Sequence, residues 1–364
     1  GEFVTSSYYY EQYPAWVDEW NAQQLASQYG GKEWQLLHPQ SSYLFGDTDD
    51  RPWETDVAGF GRTFPHPWGD SDSPYFTTLL TTSPAGDELT LSFAKVLIDR
   101  EGLGEDAVPD FLAISFSSTD YVGHLFGPSS LESEDNILRL DRILAELLDF
   151  VDEKVGLEQT VIVLSADHGG PDAPGYSNSL NLQGGYVDPG TWDKEAAIAR
   201  LKRRFEIDGE LIQKYEHPYV YLSPAITERN DAEREMIERA VAAELSRFPE
   251  VSLAVSSRAL EHGNVPDTEL IGTVLRNFNP KRSGDVYMVF APNWFINDFD
   301  GRVVSSTPGS PWEYDAFVPI VFAGHGIAAQ HVNRRVYTVD VATTLANLLG
   351  LKPPSGATGE VLSE

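Results

Sequence analysis

Along the chain, hydrophobic positions recur mostly at helical spacing, and two short runs break that period. Phe111 to Phe116 reads FLAISF, and Thr160 to Leu164 reads TVIVL. The second run is continuously apolar and rich in β-branched residues, and both predict buried parallel strands of an α/β sheet. Between them Ile137, Leu140, Leu144, Leu147, Leu148 and Val151 recur at helical spacing, which predicts the crossover helix of a right-handed βαβ unit. Further helices are expected over 15–29, where Trp16, Trp20 and Leu25 mark one face, and over 87–101, 194–205, 232–248 and 339–349. Strands are expected at VYLS (220–223), DVYMVF (285–290) and FVPIVFAG (317–324). From Trp34 to Thr77 the chain is rich in Pro, Gly, Asp and aromatics without clear periodicity.

Both strands of the predicted βαβ unit end in acidic and histidine residues. The first leads into Ser117-Ser118-Thr119-Asp120-Tyr121-Val122-Gly123-His124, the second into Ser165-Ala166-Asp167-His168-Gly169-Gly170. Ligands of such sheets collect beyond the carboxyl ends of the strands. Taken singly, an Asp there serves as a helix cap and a His as a hydrogen-bonded loop residue. Taken together, Asp120, His124, Asp167 and His168 offer the carboxylate oxygens and imidazole nitrogens that suit zinc. Other candidates are weaker. DTDD at 47–50 has the alternating Asp of a calcium loop, but without a complete EF-hand pattern it reads as a solvated acidic loop. His38 and His66 are ambiguous, His217 precedes Pro218 in a turn, and His262 sits in a Gly-containing loop.

Composition narrows the partners. The 364 residues allow one large domain or two ordinary ones. Lys and Arg number 26 against 56 acidic residues, a net charge of −30. Such a chain repels nucleic acid and anionic membranes, so neither is expected as a partner. It also repels small anionic ligands unless metal ions reverse the local sign. Cysteine is absent, which excludes disulfides, thiolate zinc sites and cysteine nucleophiles. No apolar run of about 18 residues appears, so no spanning helix is expected.

The runs SFSSTDYVGHLFGP, LRLDRILAELLDFVDEKVG and VIVLSADHGG resemble the phosphate-irrepressible alkaline phosphatases of the alkaline phosphatase superfamily. The resemblance continues through RSGDVYMVFAPNW, TPGSPWEYDAFVPIVFAGHGI and YTVDVATTLANLLGLKPPSG, and so covers most of the chain. These relatives of the nucleotide pyrophosphatase/phosphodiesterases are secreted or periplasmic two-zinc phosphomonoesterases. The resemblance implies an α/β/α sandwich with a mostly parallel sheet and cap insertions. Within it, 84–170 and 282–364 would form the catalytic core, 1–83 an N-terminal remnant with a loop-rich insertion, and 171–281 a cap near the active site. It further implies that Asp120 and His124 ligate one zinc, Asp167 and His168 the other, with a small-molecule phosphate ester as substrate.

The chain departs from the family pattern in ways that matter. Where the family has a late His ligand in a Thr-His-Gly-Ser run, this sequence reads Thr307-Pro308-Gly309-Ser310, and proline has no side-chain donor or acceptor. Asp315 and Glu313 are nearby substitutes in sequence, whereas His325 is displaced too far. The family's early Asp ligand, its Thr or Ser nucleophile and its phosphate-contacting Lys and Arg have no counterpart motif here. The resemblance therefore implies a fragment lacking the nucleophile of a covalent phosphoenzyme mechanism, or a subunit whose site another chain completes. Three functions are expected from it: an alkaline phosphomonoesterase; a phosphodiesterase or a related phosphonate or sulfate ester hydrolase; or a degenerate, non-catalytic homologue.

Overall fold

The structure is a computed structural model that describes residues 1–299 and 302–362; Asp300, Gly301, Ser363 and Glu364, which fall within the expected core segment 282–364, lie outside the described residues. Two compact units result. The first comprises Gly1–Phe126, Ser130–Asp167 and Val318–Glu364, the second Gly127–Ser129 and His168–Phe317. In chain order the first unit holds helices α1 (Pro84–Arg100), α2 (Ser118–Phe126) and α3 (Leu131–Lys154) and strand β1 (Val161–Ser165). The second follows with helix α4 (Ala196–Arg204), strands β2 (Ile212–Glu216) and β3 (Tyr219–Leu222), helix α5 (Asp231–Leu245), and strands β4 (Val251–Ser256) and β5 (Val286–Phe290). Strand β6 (Ile320–Gly324) and helix α6 (Asp340–Leu348) return to the first unit.

Helix starts follow local chemistry. Ser83 precedes Pro84 at the first position of α1, where a missing N–H costs nothing. Ser130 accepts from Ser133 N at 3.1 Å to cap α3, and Asn230 accepts from Glu233 N at 3.1 Å to cap α5. Helix α3 begins six residues before the apolar spacing suggests, and with no ladder over 111–116 it is not the crossover of the expected parallel βαβ unit. Its buried N-terminal side is polar, with Glu132, Asp135 and Asn136, while Ile137 faces solvent at 53% exposure.

The α/β class agrees with the sequence; the strand pairing differs from it. Strand β1 pairs with β6, antiparallel, from Ile320 opposite Ser165 to Gly324 opposite Val161. No ladder forms over 111–116, and Phe111 is 73% exposed. The alternating run there is apolar enough for a strand but lacks a partner, and a strand is held by its ladder. In the second unit the sheet order is β2-β3-β5-β4, antiparallel throughout. The run VYMVF in β5 is wholly buried because β3 and β4 flank it. That strand therefore lies with the second unit, although its sequence placed it with the returning core. Helix α5 packs on β4, and Trp192, Ile198, Leu211, Ile237 and Met288 fill the interior.

The first unit buries polar groups beside aromatic rings. Asp135 accepts from Trp34 Nε1, Leu37 N and Arg139 Nε, each at 2.7 Å. His66 lies among Trp34, Phe60, Phe64 and Phe126. Its Nδ1–H donates to the Phe60 carbonyl at 3.1 Å, so Nε2, 3.2 Å from Glu132 Oε1, is the accepting nitrogen. Burial lowers the His66 pKa to about 4 and raises that of Glu132 well above the usual carboxylate range. Glu132 therefore keeps its proton and donates it, and the contact is a neutral hydrogen bond. Burial also pushes the Glu54 carboxyl up to about 9.

A neutral contact predicts that Glu132→Gln, which keeps a donor, costs no more than about 1 kcal/mol in denaturant unfolding. A loss of about 3–5 kcal/mol, as for a broken buried ion pair, would contradict it.

Candidate metal and phosphate site

Helix α2, which directly follows the run 111–116, carries two of the candidate ligands. Asp120 and His124 are four residues apart and so share one face. His124 Nε2 stands 3.3 Å from Asp120 Oδ2; the His124 side chain is 6% exposed and that of Asp120 40%. The Ser117-Ser118-Thr119 run before them is a helix-start signal.

The start of α2 is held by a residue that sequence reasoning missed. Asp87 of α1 is buried; its Oδ1 accepts from Ser118 N at 3.0 Å and its Oδ2 from Thr119 Oγ1 at 3.1 Å. Asn136 of α3 donates to the same Thr119 Oγ1 at 2.9 Å. Three helices thus meet at the first turn of α2, with a carboxylate at the positive end of its dipole. Burial raises the Asp87 pKa to about 6 against the pull of these hydrogen bonds. Gly86 permits the approach, since a Cβ there would lie 2.2 Å from Ser118 Oγ. Ser117 Oγ shares a hydrogen bond with Ser115 Oγ, while Ser118 N and Thr119 Oγ1 donate to Asp87.

Asp167 closes a segment of the first unit, and His168 opens the main segment of the second. His168 Nδ1–H donates to the Gly169 carbonyl at 2.7 Å, which makes Nε2 the lone-pair nitrogen, as in many metal-ligating histidines. Gly169 N in turn donates to Asp315 O at 2.7 Å, an approach so close that a Cβ on Gly169 would lie 2.1 Å from the Tyr314 carbonyl. The Asp315 carboxylate is buried beside His168. Its Oδ2 accepts from Ser310 N at 2.7 Å, while Oδ1 has no hydrogen-bond partner. Burial raises its pKa, and the hydrogen bonds from Ser310 oppose the rise.

Pro308 lines a cavity of the second unit with His217, Phe290, Trp294, Ser310 and Asp315. His217 is occupied at both nitrogens: Nε2–H donates to the Gly309 carbonyl at 2.8 Å, and Nδ1 accepts from Tyr215 Oη at 2.8 Å. Burial lowers its pKa. It therefore fastens the Pro308 loop and does not replace the missing imidazole. His325 is likewise structural, with Nδ1 on the Glu158 carbonyl at 2.7 Å.

The donor chemistry of one pair, Asp120 with His124, suits zinc, and His168 lies beside the Asp315 carboxylate. Among the described residues no three His, Asp or Glu side chains form a group able to hold a metal ion. No helix among them is long and apolar enough to cross a membrane.

Comparison with known proteins adds a family. The sequence model of Type I phosphodiesterase / nucleotide pyrophosphatase matches residues 3–310. A protein of Myroides odoratus named calcium-transporting ATPase is 33% identical over the whole chain and 66% of its own length. Alkaline phosphatase PafA of Elizabethkingia meningoseptica is 32% identical over the whole chain and 66% of its length. The crystal structure of wild-type alkaline phosphatase PafA superposes with a TM-score of 0.88 at 32% identity, covering 100% of this chain and 68% of that one. The chain thus spans about two thirds of the length of the curated relatives it matches.

The Asp87 contacts carry a pH dependence. The folded-state pKa of about 6 lies above the usual 3.8, so this group's stabilising contribution is full below about pH 4 and is lost as pH rises through about 6. Asp87→Asn has no such loss. The stability of the native protein relative to this variant should fall between pH 4 and 6 and level off above. Melting temperatures of both proteins across that window check it, and a gap independent of pH contradicts it.

Proposed function

The chain belongs to the type I phosphodiesterase / nucleotide pyrophosphatase family, a hydrolase family, and on that premise we propose that it carries the metal-holding part of a zinc-dependent phosphate ester hydrolase. The reading is of an alkaline phosphomonoesterase for small-molecule esters, in a periplasmic or secreted setting. The observation that carries it is the Asp120–His124 pair, 3.3 Å apart on one face of α2.

In this reading Asp120 and His124 hold one zinc and Asp167 and His168 the other. Bound zinc would supply the positive charge that polarises a phosphoryl oxygen, lowers the pKa of a nucleophile and stabilises a leaving alkoxide. The chain's own residues set the stage for it. Asp87 and Asn136 fix the first turn of α2, so Asp120 and His124 keep one orientation. The Gly169 carbonyl fixes the tautomer of His168. A surface of net charge −30 repels anionic esters, so attraction has to come from the site itself. The nucleophile belongs to the part of the family pattern without a counterpart here.

Two other readings have their own support. The name of the matching family favours a phosphodiesterase or nucleotide pyrophosphatase. Pro308, with His217 committed to Gly309 and Tyr215, favours a degenerate homologue that binds without turnover.

Turnover separates the three. With zinc added, this chain alone should hydrolyse an aryl phosphomonoester no faster than its Asp120→Ala variant. Turnover abolished by Asp120→Ala would place the nucleophile within these residues and contradict that expectation. A form carrying the family's remaining third should prefer the monoester to the diester. A diester preference supports the phosphodiesterase reading, and no turnover of either supports the binding reading.

A further inference from the structure

The first turn of α3 gathers the loop-rich segment that precedes it in the chain. Glu134 accepts from Leu44 N at 2.8 Å and from Phe45 N at 3.0 Å. Asp135 takes four hydrogen bonds, from Trp34 Nε1, Leu37 N, Tyr43 Oη and Arg139 Nε, so both of its oxygens are filled. Glu132, three residues earlier, is the exception. It is wholly buried, its Oε1 faces His66 Nε2, and its Oε2 has no hydrogen-bond partner. A buried acceptor left unmatched is unfavourable.

A second orphaned oxygen lies in the same interior. Glu54 is 5% exposed; its Oε2 accepts from Arg51 N at 3.1 Å, and its Oε1 has no partner. Apart from burial, the ionisable group that bears most strongly on Glu54 is Glu132, ahead of Asp49 and Arg51. The two carboxyls are therefore neighbours. Asp49 and Asp135 also bear on Glu132 and on His66, and Asp56 on His66. Of these surrounding groups Arg51 is the cation and the rest are acids, a setting that disfavours two adjacent carboxylates. Among the described residues no three His, Asp or Glu side chains form a group able to hold a metal ion, so a proton is the fitting occupant.

We propose that Glu54 and Glu132 are both carboxylic acids joined by a hydrogen bond, Glu54 Oε1–H donating to Glu132 Oε2, in a neutral chain that latches residues 49–66 onto α3. The chain continues as Glu132 Oε1–H donates to His66 Nε2, and His66 Nδ1–H to the Phe60 carbonyl. Each proton is donated once, and each orphaned oxygen gains a partner. The latch also reaches α2. Thr55 N donates to the Leu125 carbonyl at 2.8 Å, so the residue after Glu54 ties down the helix one position past His124. Ionising Glu54 removes the donor and places a charge in buried, acidic surroundings. Alkali therefore opens the latch. The inference stands on two orphaned oxygens and their burial, independently of metal binding and of the hydrolase reading.

Infrared spectroscopy of the native protein tests it without any variant. Carbonyl bands of protonated carboxyls should persist at pH 7, where exposed acids are ionised, and one should disappear with a midpoint near pH 9. Glu54→Gln, which keeps a donor in place of Oε1–H, should remove that band. Burial holds the Glu54 pKa at about 9 against the usual 4.5, so the group's stabilising contribution is full below about pH 4.5 and is lost as pH rises through about 9. The folding constant of the native protein relative to Glu54→Gln should fall by up to about tenfold per pH unit across that window and level off above it. Absence of protonated-carboxyl bands at pH 7 would overturn the inference, as would bands that Glu54→Gln leaves unchanged or a stability gap independent of pH. Stabilisation of the native protein but not of the variant by calcium chloride would do the same, since a cation would then fill the space assigned to the proton.

Discussion

The carboxylate of Asp87 is the constraint on which the start of α2 depends. It reaches from α1 to the first turn of α2, takes a hydrogen bond from Ser118 N and another from Thr119 Oγ1, and is itself buried. Burying an acid is unfavourable, and the raised pKa records that. Hydrogen bonds at the amino end of a helix recover part of the loss, because those N–H groups have no partner within the helix. One polar contact therefore fixes where α2 starts, and with it the face on which Asp120 and His124 fall. Moving the start by one residue would turn that face by about 100°, since an α-helix has 3.6 residues per turn.

Much of this was legible beforehand, for physical reasons that differ by element. Helices α1, α3, α5 and α6 announce themselves through apolar spacing and through caps such as Ser130 and Asn230. Asp120, His124, Asp167 and His168 stand out in the sequence because acidic and imidazole groups cluster after apolar runs, and the structure brings Asp120 and His124 together on one helix face. What escaped was tertiary. FLAISF looks like a strand by composition, but a strand requires a partner and none pairs with it. Asp87 looked like one more acid in an amphipathic helix, since nothing local signals that it caps a helix 31 residues away. The neutral His66–Glu132 contact also depends on burial that no short window reveals.

The two units differ in how completely they bury what their sequences make apolar. In the second, a four-stranded sheet and α5 enclose Trp192, Ile237 and Met288, and the central β5 has no exposed residue. In the first, the aromatic cluster around His66 is dense, while β1 and β6 stay half covered. A chain of net charge −30 remains dispersed through self-repulsion, so uncovered strands need not lead to aggregation. The candidate ligands Asp120, His124 and Asp167 belong to this less covered unit.

The central claim is that Asp120 with His124, and Asp167 with His168, bind zinc. Elemental analysis of the longest purifiable form, after dialysis against a mild chelator and restoration of zinc, tests it most directly. The account predicts two zinc ions per chain, falling to one in the Asp120→Ala variant. Fewer than two in the native form, or a zinc content unchanged by that substitution, would contradict it and leave Pro308 as the mark of a dismantled site.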